Sequence, residues 1–190
     1  MESPVLKGQY TYADYLSLDD GNRYELIDGE LRMMSSPSVR HQEIVTELFR
    51  QLANFLEGKT CRVYPAPFDV RLFEREEDTP EDITTVVQPD LLVLCDRSKA
   101  DAQGCKGAPD MIIEVLSPAT QRHDRIVKLN LYQRAGVKEY WIVSPEDQTV
   151  QVLLPENGCL RPYELYIRND IAKVHTLDGC FIELCKVFPE

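Results

Sequence analysis

The sequence predicts a single α/β domain that spans residues 1–190. Apolar stretches with the alternating pattern of strands are mixed with stretches that have the helical period of about 3.6 residues. Over residues 110–145 a strand, a helix and a second strand follow one another, which predicts a right-handed crossover between two parallel strands. The 190 residues are 43% apolar, and a chain of that length can bury a sizeable hydrophobic core.

A short helix and a β-hairpin are predicted at the start of the chain. Tyrosines and leucines within residues 1–20 have spacings that suit a short helix packed on the domain. Two alternating apolar runs within residues 24–33 are separated by Asp28-Gly29, a pair that is typical of tight hairpin turns. Glu25 is then expected to lie on a strand.

A longer helix is predicted from Ser38 to Glu57. Its apolar residues recur at helical spacing, and Gly58 follows as a terminator. His41 lies one turn before this apolar stripe. Packing beneath the hairpin and a role in a functional site are both open for this histidine.

The centre of the chain contains two apolar strands that each carry one carboxylate. Asp90 lies in the strand predicted over residues 86–94, and Glu114 lies in the strand predicted over residues 110–118. A buried carboxylate without a partner is costly. The two acids therefore need a shared counter-charge, and a divalent cation is the simplest candidate.

The helix of the crossover is predicted over residues 121–135, and Gly136 is placed to end it. Spacing of about 100° per residue puts Asp124 within the inward-facing arc, with Lys128 beside it. Such a pair on an exposed helix face would be routine. On the inner edge it indicates a functional use. Tyr132, one turn beyond Lys128, is interpreted as packing.

The C-terminal part is predicted to contain further strands. A strongly apolar strand over residues 139–145 completes the crossover. Short strands near residues 149–154, 160–167 and 172–176, separated by turn residues, are expected to extend the sheet. We find no repeat or low-complexity linker that would mark a second domain.

Composition bounds the class of protein. The net charge is −11, from 32 acidic and 21 basic residues, which argues against coating nucleic acid by bulk electrostatics. Arg40, Arg122 and Arg125 are scattered candidates for phosphate contact. The six cysteines lack metal-ligand spacing, and without an export signal they are predicted to be reduced and structural. No apolar run is long enough to span a membrane, so we expect a cytoplasmic protein.

The acids and the lysine suggest metal-assisted hydrolysis. If Asp90 and Glu114 face the same side of the sheet, their carboxylates, the backbone carbonyl of Val115 and several waters suit Mg²⁺, which prefers oxygen ligands. Lys128 could reach the same space, where an ammonium group orients a water and offsets phosphate charge. Together these groups predict phosphodiester hydrolysis.

Several strings of the sequence resemble the Uma family of proposed restriction endonucleases, within the PD-(D/E)XK nuclease superfamily. The resemblance covers roughly residues 10 to 155 in consistent order. It rests on YELIDGE at 24–30, QPDL at 88–91, PD at 109–110 leading into IEVLSP at 113–118, Asp124, Lys128, and GVKEYWIV at 136–143. It implies a restriction endonuclease-like mixed sheet flanked by helices, with an N-terminal β-hairpin and additional C-terminal strands.

The resemblance also implies roles for individual residues. Asp90 and Glu114 correspond to the acids that bind Mg²⁺, for which Mn²⁺ can substitute. The superfamily lysine usually stands two residues after the second acid, where this chain has Leu116, so Lys128 becomes the candidate. Glu25 resembles an upstream acid of the family, a possible ligand through water, and His41 resembles its recurrent histidine.

The predicted function is a magnesium-dependent endonuclease acting on nucleic acid, with DNA favoured over RNA, and the enzyme is expected to be a homodimer. Two alternatives stay open. One is a degenerate member that binds nucleic acid or a protein partner without cutting. The other is a metal-independent hydrolase that uses Glu114 and Asp90 as an acid and base pair.

Overall fold

The computed structural model describes residues 5–6, 8–117 and 123–188. Over these residues the strands are β1 (Val5–Leu6), β2 (Tyr24–Ile27), β3 (Glu30–Met33), β4 (Arg62–Pro65), β5 (Val70–Arg71), β6 (Leu91–Leu94), β7 (Ala100–Asp101), β8 (Gly104–Lys106), β9 (Met111–Val115), β10 (Glu139–Ser144), β11 (Thr149–Glu156), β12 (Cys159–Ile167), β13 (Ile171–Lys173) and β14 (Phe181–Glu183). The helices are α1 (Tyr12–Leu16), α2 (Val39–Leu56), α3 (Leu129–Ala135) and α4 (Leu184–Val187), with a 3₁₀ turn at Arg97–Lys99 and a π-helix at His123–Lys128.

A six-stranded mixed sheet forms the centre of the fold, in the order β12-β11-β10-β9-β6-β4. β9 and β10 are parallel, as the crossover prediction requires, and the other neighbours are antiparallel. One core cluster combines residues of α2 with one face of this sheet, and a second combines residues of α3 with the opposite face. The predicted α/β class, a mixed sheet flanked by helices, is confirmed.

The predicted N-terminal hairpin is present. β2 pairs with β3, and the turn residues Asp28 and Gly29 have φ values of 47° and 83°. Two successive positive φ angles are the requirement of a type I′ turn, which explains the Asp-Gly pair. The hairpin has a small core of its own that includes Tyr12 of α1.

The helix predicted from Ser38 to Glu57 is α2. The Ser38 side chain accepts a hydrogen bond from the His41 backbone N–H and so caps the helix at its N-terminus. Its apolar stripe is buried in the first core cluster, through Ile44, Val45, Leu48, Leu52 and Leu56. The cap places His41 in the first turn of the helix.

The single strand predicted over residues 86–94 is wrong, because two separate pairings replace it. Val86 and Val87 bridge to Leu26 and Val70, and the central sheet receives the chain only from Leu91 onward. Pro89 stands between the two pairings, and proline has no N–H to donate to a strand neighbour. The break leaves Asp90 just before β6.

Two further expectations were wrong. The strand expected near residues 172–176 does not extend the central sheet; β13 pairs instead with β14 in a separate two-stranded sheet. The cysteines are not all reduced, because Cys61 and Cys95 form a disulfide. Arg62 pairs with Leu94 across β4 and β6, and this register places the next residues, Cys61 and Cys95, opposite each other.

None of the helices described here combines the length and the apolar character needed to cross a membrane. The helix predicted over residues 121–135 is described from His123 onward, and its first two residues lie outside the described part of the chain. What is described begins as a π-helix and continues as α3, which ends at Gly136 with φ 83°. The predicted terminator is therefore confirmed.

Candidate active site

The strand register places the two predicted acids side by side. Leu91 pairs with Ile113 across β6 and β9, and extending that register by one residue sets Asp90 opposite Glu114. Residues directly opposite in an antiparallel pair point to the same face of a sheet. Glu114 faces the side of the sheet that α3 covers, and Asp90 stands opposite it, just before the start of β6.

Lys128 lies at the centre of the acidic cluster. Its Nζ is 2.9 Å from Glu114 Oε1, 2.9 Å from Glu25 Oε1 and 3.8 Å from Asp124 Oδ1. All four side chains are almost fully buried. The structure thus brings together four of the predicted site residues, from a hairpin strand, a central strand and the crossover helix.

The π-helix explains part of this convergence. A π-helix has i→i+5 hydrogen bonds and is wound less tightly than an α-helix, so His123 and Lys128 lie closer to one face than they would in an α-helix. Both approach the same carboxylate: His123 Nε2 is 3.7 Å from Glu25 Oε2, and Lys128 Nζ is near Glu25 Oε1. An ordinary α-helix would align Lys128 with Asp124 but not with His123.

Glu25 reaches this cluster from β2. The residues on either side of it, Tyr24 and Leu26, pack in the hairpin core, so alternation along the strand directs Glu25 the other way. Its Oε1 accepts a hydrogen bond from the Gln88 backbone N–H at 3.0 Å. The Gln88 side chain is itself held by Arg23, Tyr15 and Asp69. This network ties the hairpin to the segment that leads into Asp90.

The two glutamates that contact Lys128 have pKa values shifted in opposite directions. Burial raises the pKa of Glu25, but Lys128, His123 and the Gln88 N–H together lower it to about 2. Burial is also the largest effect on Glu114, and here the nearby carboxylates add to it, so the pKa of Glu114 is raised well above its ordinary value despite Lys128. The positive charge of Lys128 is therefore not enough to offset burial and the neighbouring carboxylates at Glu114.

Lys128 remains a cation at neutral pH. Burial lowers its pKa, but the charges of Glu114, Glu25 and Asp124 outweigh burial and raise the pKa well above the ordinary lysine value. An ammonium group has three N–H donors and no acceptor. In this state Lys128 can donate hydrogen bonds and offset negative charge, but it cannot take up a proton.

Asp90 is held at the edge of the cluster, where its side chain is 20% exposed. Its Oδ2 accepts a hydrogen bond from the Val115 backbone N–H at 2.8 Å and is 3.2 Å from His41 Nε2. Burial lowers the pKa of His41, yet the hydrogen bond and charge of Asp90, with the Val115 backbone, raise it overall. His41 therefore lies at the site, next to Asp90.

Side-chain groups do not form a ready-made metal centre: within the described ranges, no three His, Cys, Asp and Glu residues are arranged to hold an ion. The two carboxylates nevertheless suit Mg²⁺, which often takes only one or two from the protein and keeps several waters. Both hydrogen-bonded contacts of Asp90 end on Oδ2, and both of Glu114 end on Oε1. Among the described residues, Asp90 Oδ1 and Glu114 Oε2 have no protein donor and can bind a cation.

Sequence reasoning missed two contributors to the cluster. The sequence predicts only packing for Tyr132, yet its hydroxyl donates to Glu114 Oε1 at 2.5 Å. Its spacing of four residues from Lys128 on the inner face was the available signal. His123 was assigned no role, because its alignment with Lys128 depends on the π-helix, which no local pattern announced.

Comparisons with known proteins find a family model, a relative and a solved structure that resemble this chain. The Uma2 family model, described as "Putative restriction endonuclease", matches residues 12–184. An uncharacterized protein of Synechocystis sp. is 27% identical over 134 residues, which cover 69% of this chain and 66% of that protein, slightly less than two thirds of its length. A crystal structure of a "putative nuclease belonging to DUF820" from Anabaena variabilis has a TM-score of 0.74 at 18% identity, covering 94% of this chain and 97% of the other. That likeness concerns the fold.

Proposed function

The chain belongs to the Uma2 family, and on that premise we propose that it is a magnesium-dependent endonuclease that hydrolyses phosphodiester bonds of DNA. The observation that carries the proposal is the charge balance of the cluster. Glu25, Glu114, Asp124 and Asp90 contribute four acids, and the basic side chains in contact with them, among the residues that the structure describes, are Lys128, His41 and His123. An excess of buried negative charge favours binding of a divalent cation.

Asp90 and Glu114 are the residues proposed to hold the metal, each through its unpaired oxygen, with the Val115 carbonyl as a further ligand. A bound Mg²⁺ would polarise the phosphate and lower the pKa of an attacking water. Mn²⁺ is expected to substitute because it also prefers oxygen ligands. The buried position of Glu114 fits this role better than that of a solvent-accessible acid or base.

Lys128 is proposed to orient the attacking water and to offset the charge of the phosphate. Two of its N–H donors are directed to Glu25 and Glu114 at 2.9 Å, whereas Asp124 lies beyond hydrogen-bond distance at 3.8 Å. Among the described residues no third acceptor lies within hydrogen-bond distance, which leaves one donor for a water or a phosphate oxygen. Glu25 supports the site by fixing the ammonium group from the hairpin.

The test is cleavage of supercoiled and linear DNA, and of RNA, with Mg²⁺, Mn²⁺ or a chelator. Asp90→Asn is the informative variant, because Asp90 is partly exposed and its amide can still accept a hydrogen bond from Val115. Asp110→Asn is the matched control: Asp110 also follows a proline, but it binds Cys95 N and Lys138 instead. We expect cleavage that requires the metal and falls at least about 100-fold in Asp90→Asn only. Cleavage that persists in chelator would refute the proposal.

A second candidate is a family member that binds nucleic acid without cutting it. The observation in its favour is that the ammonium group of Lys128, 2.9 Å from both Glu25 and Glu114, already provides these acids with a positive charge in place of a metal ion. Of the scattered arginines, Arg40 donates to the Pro145 carbonyl and Arg125 lies near Gln151, and Arg122 lies outside the described residues. Retarded migration of DNA with no cleavage in either metal would support this function.

We also propose that the enzyme acts as a homodimer. Two-fold symmetric enzymes can engage both strands of a symmetric DNA site. Light scattering on the purified protein, across a tenfold range of concentration, measures the mass. A particle of one chain, 21.8 kDa, at all concentrations would refute dimerisation.

A further inference from the structure

Tyr132 makes a contact that its burial alone does not explain. Its side chain is fully buried, and its hydroxyl is 2.5 Å from Glu114 Oε1. A short O–H···O bond to a carboxylate is among the stronger hydrogen bonds in proteins. The ring is also fixed, because it packs edge-on against Tyr140, with ring centroids 5.0 Å apart and planes at 74°.

Tyr132 and Lys128 both act on the same oxygen of Glu114. Each lies on the inner face of the crossover helix, four residues apart, and each donates to Oε1. With two donors fixed on one oxygen, rotation of the carboxylate about its last bond would break both contacts. Glu114 Oε2 is thereby left as the oxygen that neither helix donor binds.

We propose that Tyr132 is a positioning residue of the metal site, which fixes Glu114 so that Oε2 is presented to the cation. The inference rests on the proposed function, since it concerns the same metal site. Groups that orient a ligating side chain affect metal affinity strongly although they never touch the metal. Tyr132 belongs to this class, because its hydroxyl binds Glu114 while its side chain is fully buried.

The experiment compares Tyr132→Phe with Tyr140→Phe. Each change removes one hydroxyl from the same ring pair and keeps the packing of the rings. The Tyr140 hydroxyl donates to the Asp124 backbone carbonyl and not to Glu114, so Tyr140→Phe controls for loss of a buried hydrogen bond. Direct binding of Mn²⁺, followed by electron paramagnetic resonance, measures affinity without any need for catalysis.

We expect Tyr132→Phe to weaken Mn²⁺ binding about tenfold or more, while Tyr140→Phe stays within about threefold of the unmodified protein. In cleavage assays, Tyr132→Phe should need more Mg²⁺ to reach half its maximal rate, and high Mg²⁺ should largely restore that rate. A role in folding alone would lower the melting temperature of both variants without this shift in metal dependence.

The outcomes separate the inference from the function on which it rests. If the unmodified protein binds Mn²⁺, loses it in Asp90→Asn and keeps full affinity in Tyr132→Phe, the positioning role is refuted and the nuclease proposal stands. If the unmodified protein binds no Mn²⁺, the metal-dependent function fails, and the positioning role fails with it.

Discussion

Replacing Lys128 with methionine tests whether its charge holds the cluster together. The change removes the cation that lies 2.9 Å from Glu114 and Glu25 while keeping a side chain of similar length. Breaking a buried ion pair by removing one partner costs about 3–5 kcal/mol, because the remaining charge is left uncompensated. Two carboxylates lose their closest positive charge here, so we expect the free energy of unfolding to fall by at least about 3 kcal/mol near neutral pH.

Lys138→Met is the matched control. Lys138 Nζ is 2.7 Å from Asp110 Oδ1, a closer contact than any that Lys128 makes, but its side chain is 68% exposed. Exposed ion pairs contribute about 1 kcal/mol or less. The measurement is urea denaturation of both variants, or melting, where each kcal/mol corresponds to about 2–4 °C for a chain of this size.

The penalty in Lys128→Met should also depend on pH in a defined direction. Without the ammonium group, the pKa of Glu25 loses the largest effect that lowers it, and the pKa of Glu114, already raised, rises further, so folding favours the protonated acids more strongly. The loss of stability should be largest at pH 8 and shrink as pH falls toward 5. A variant within about 1 kcal/mol of the unmodified protein at pH 8, or a penalty independent of pH, would refute the reasoning.

Three further predictions address other parts of the molecule. Glu25→Gln should lower the free energy of unfolding near neutral pH. The difference in stability between the variant and the unmodified protein should shrink as pH falls from 4.5 to about 2, because a lowered carboxyl pKa contributes its full stability only above that range. Denaturation at several pH values measures this difference. Reducing the Cys61–Cys95 disulfide, which closes a separation of 34 residues, should lower stability by about 4 kcal/mol in the chain-entropy estimate, as measured by melting with and without reductant. Gly104→Ala would place a Cβ 2.2 Å from the Asp69 carbonyl oxygen, whereas a Cβ at Gly107 would meet no atom within 4 Å. Both glycines have a positive φ, so both changes strain the backbone, but Gly104→Ala should lower the free energy of unfolding by about 2 kcal/mol more than Gly107→Ala, as measured by urea denaturation.

The sequence alone predicted the parts of the site that follow from local patterns. Asp90 and Glu114 were recognised because a carboxylate among aliphatic residues has to find a partner, and Lys128 because helical spacing placed it on the inner edge. The hairpin followed from the Asp28-Gly29 turn. In each case one short segment contained the whole signal.

Features that depend on contacts between distant segments could not be predicted in this way. The Cys61–Cys95 disulfide requires the pairing of β4 with β6, which no pattern near either cysteine reveals. A tyrosine that packs and a tyrosine that donates to a buried acid look alike in sequence, so Tyr132 was assigned to packing. The partner of its hydroxyl became visible only with the strand and helix in place.

The position of Lys128 makes the proposed chemistry depend on how several elements are assembled. Leu116, which follows Glu114 by two residues and faces the same side, is buried in the core beneath α3, so a charged side chain there would be costly. The charge comes from the crossover helix instead, and its partners come from β2 and β9. Changes to Lys128, Glu114 or Glu25 are therefore expected to alter stability, so a variant of these residues that fails to cleave has to be compared with the unmodified protein for folding as well. Asp90 is partly exposed and is not a partner of Lys128, which makes it the residue whose replacement separates chemistry from folding.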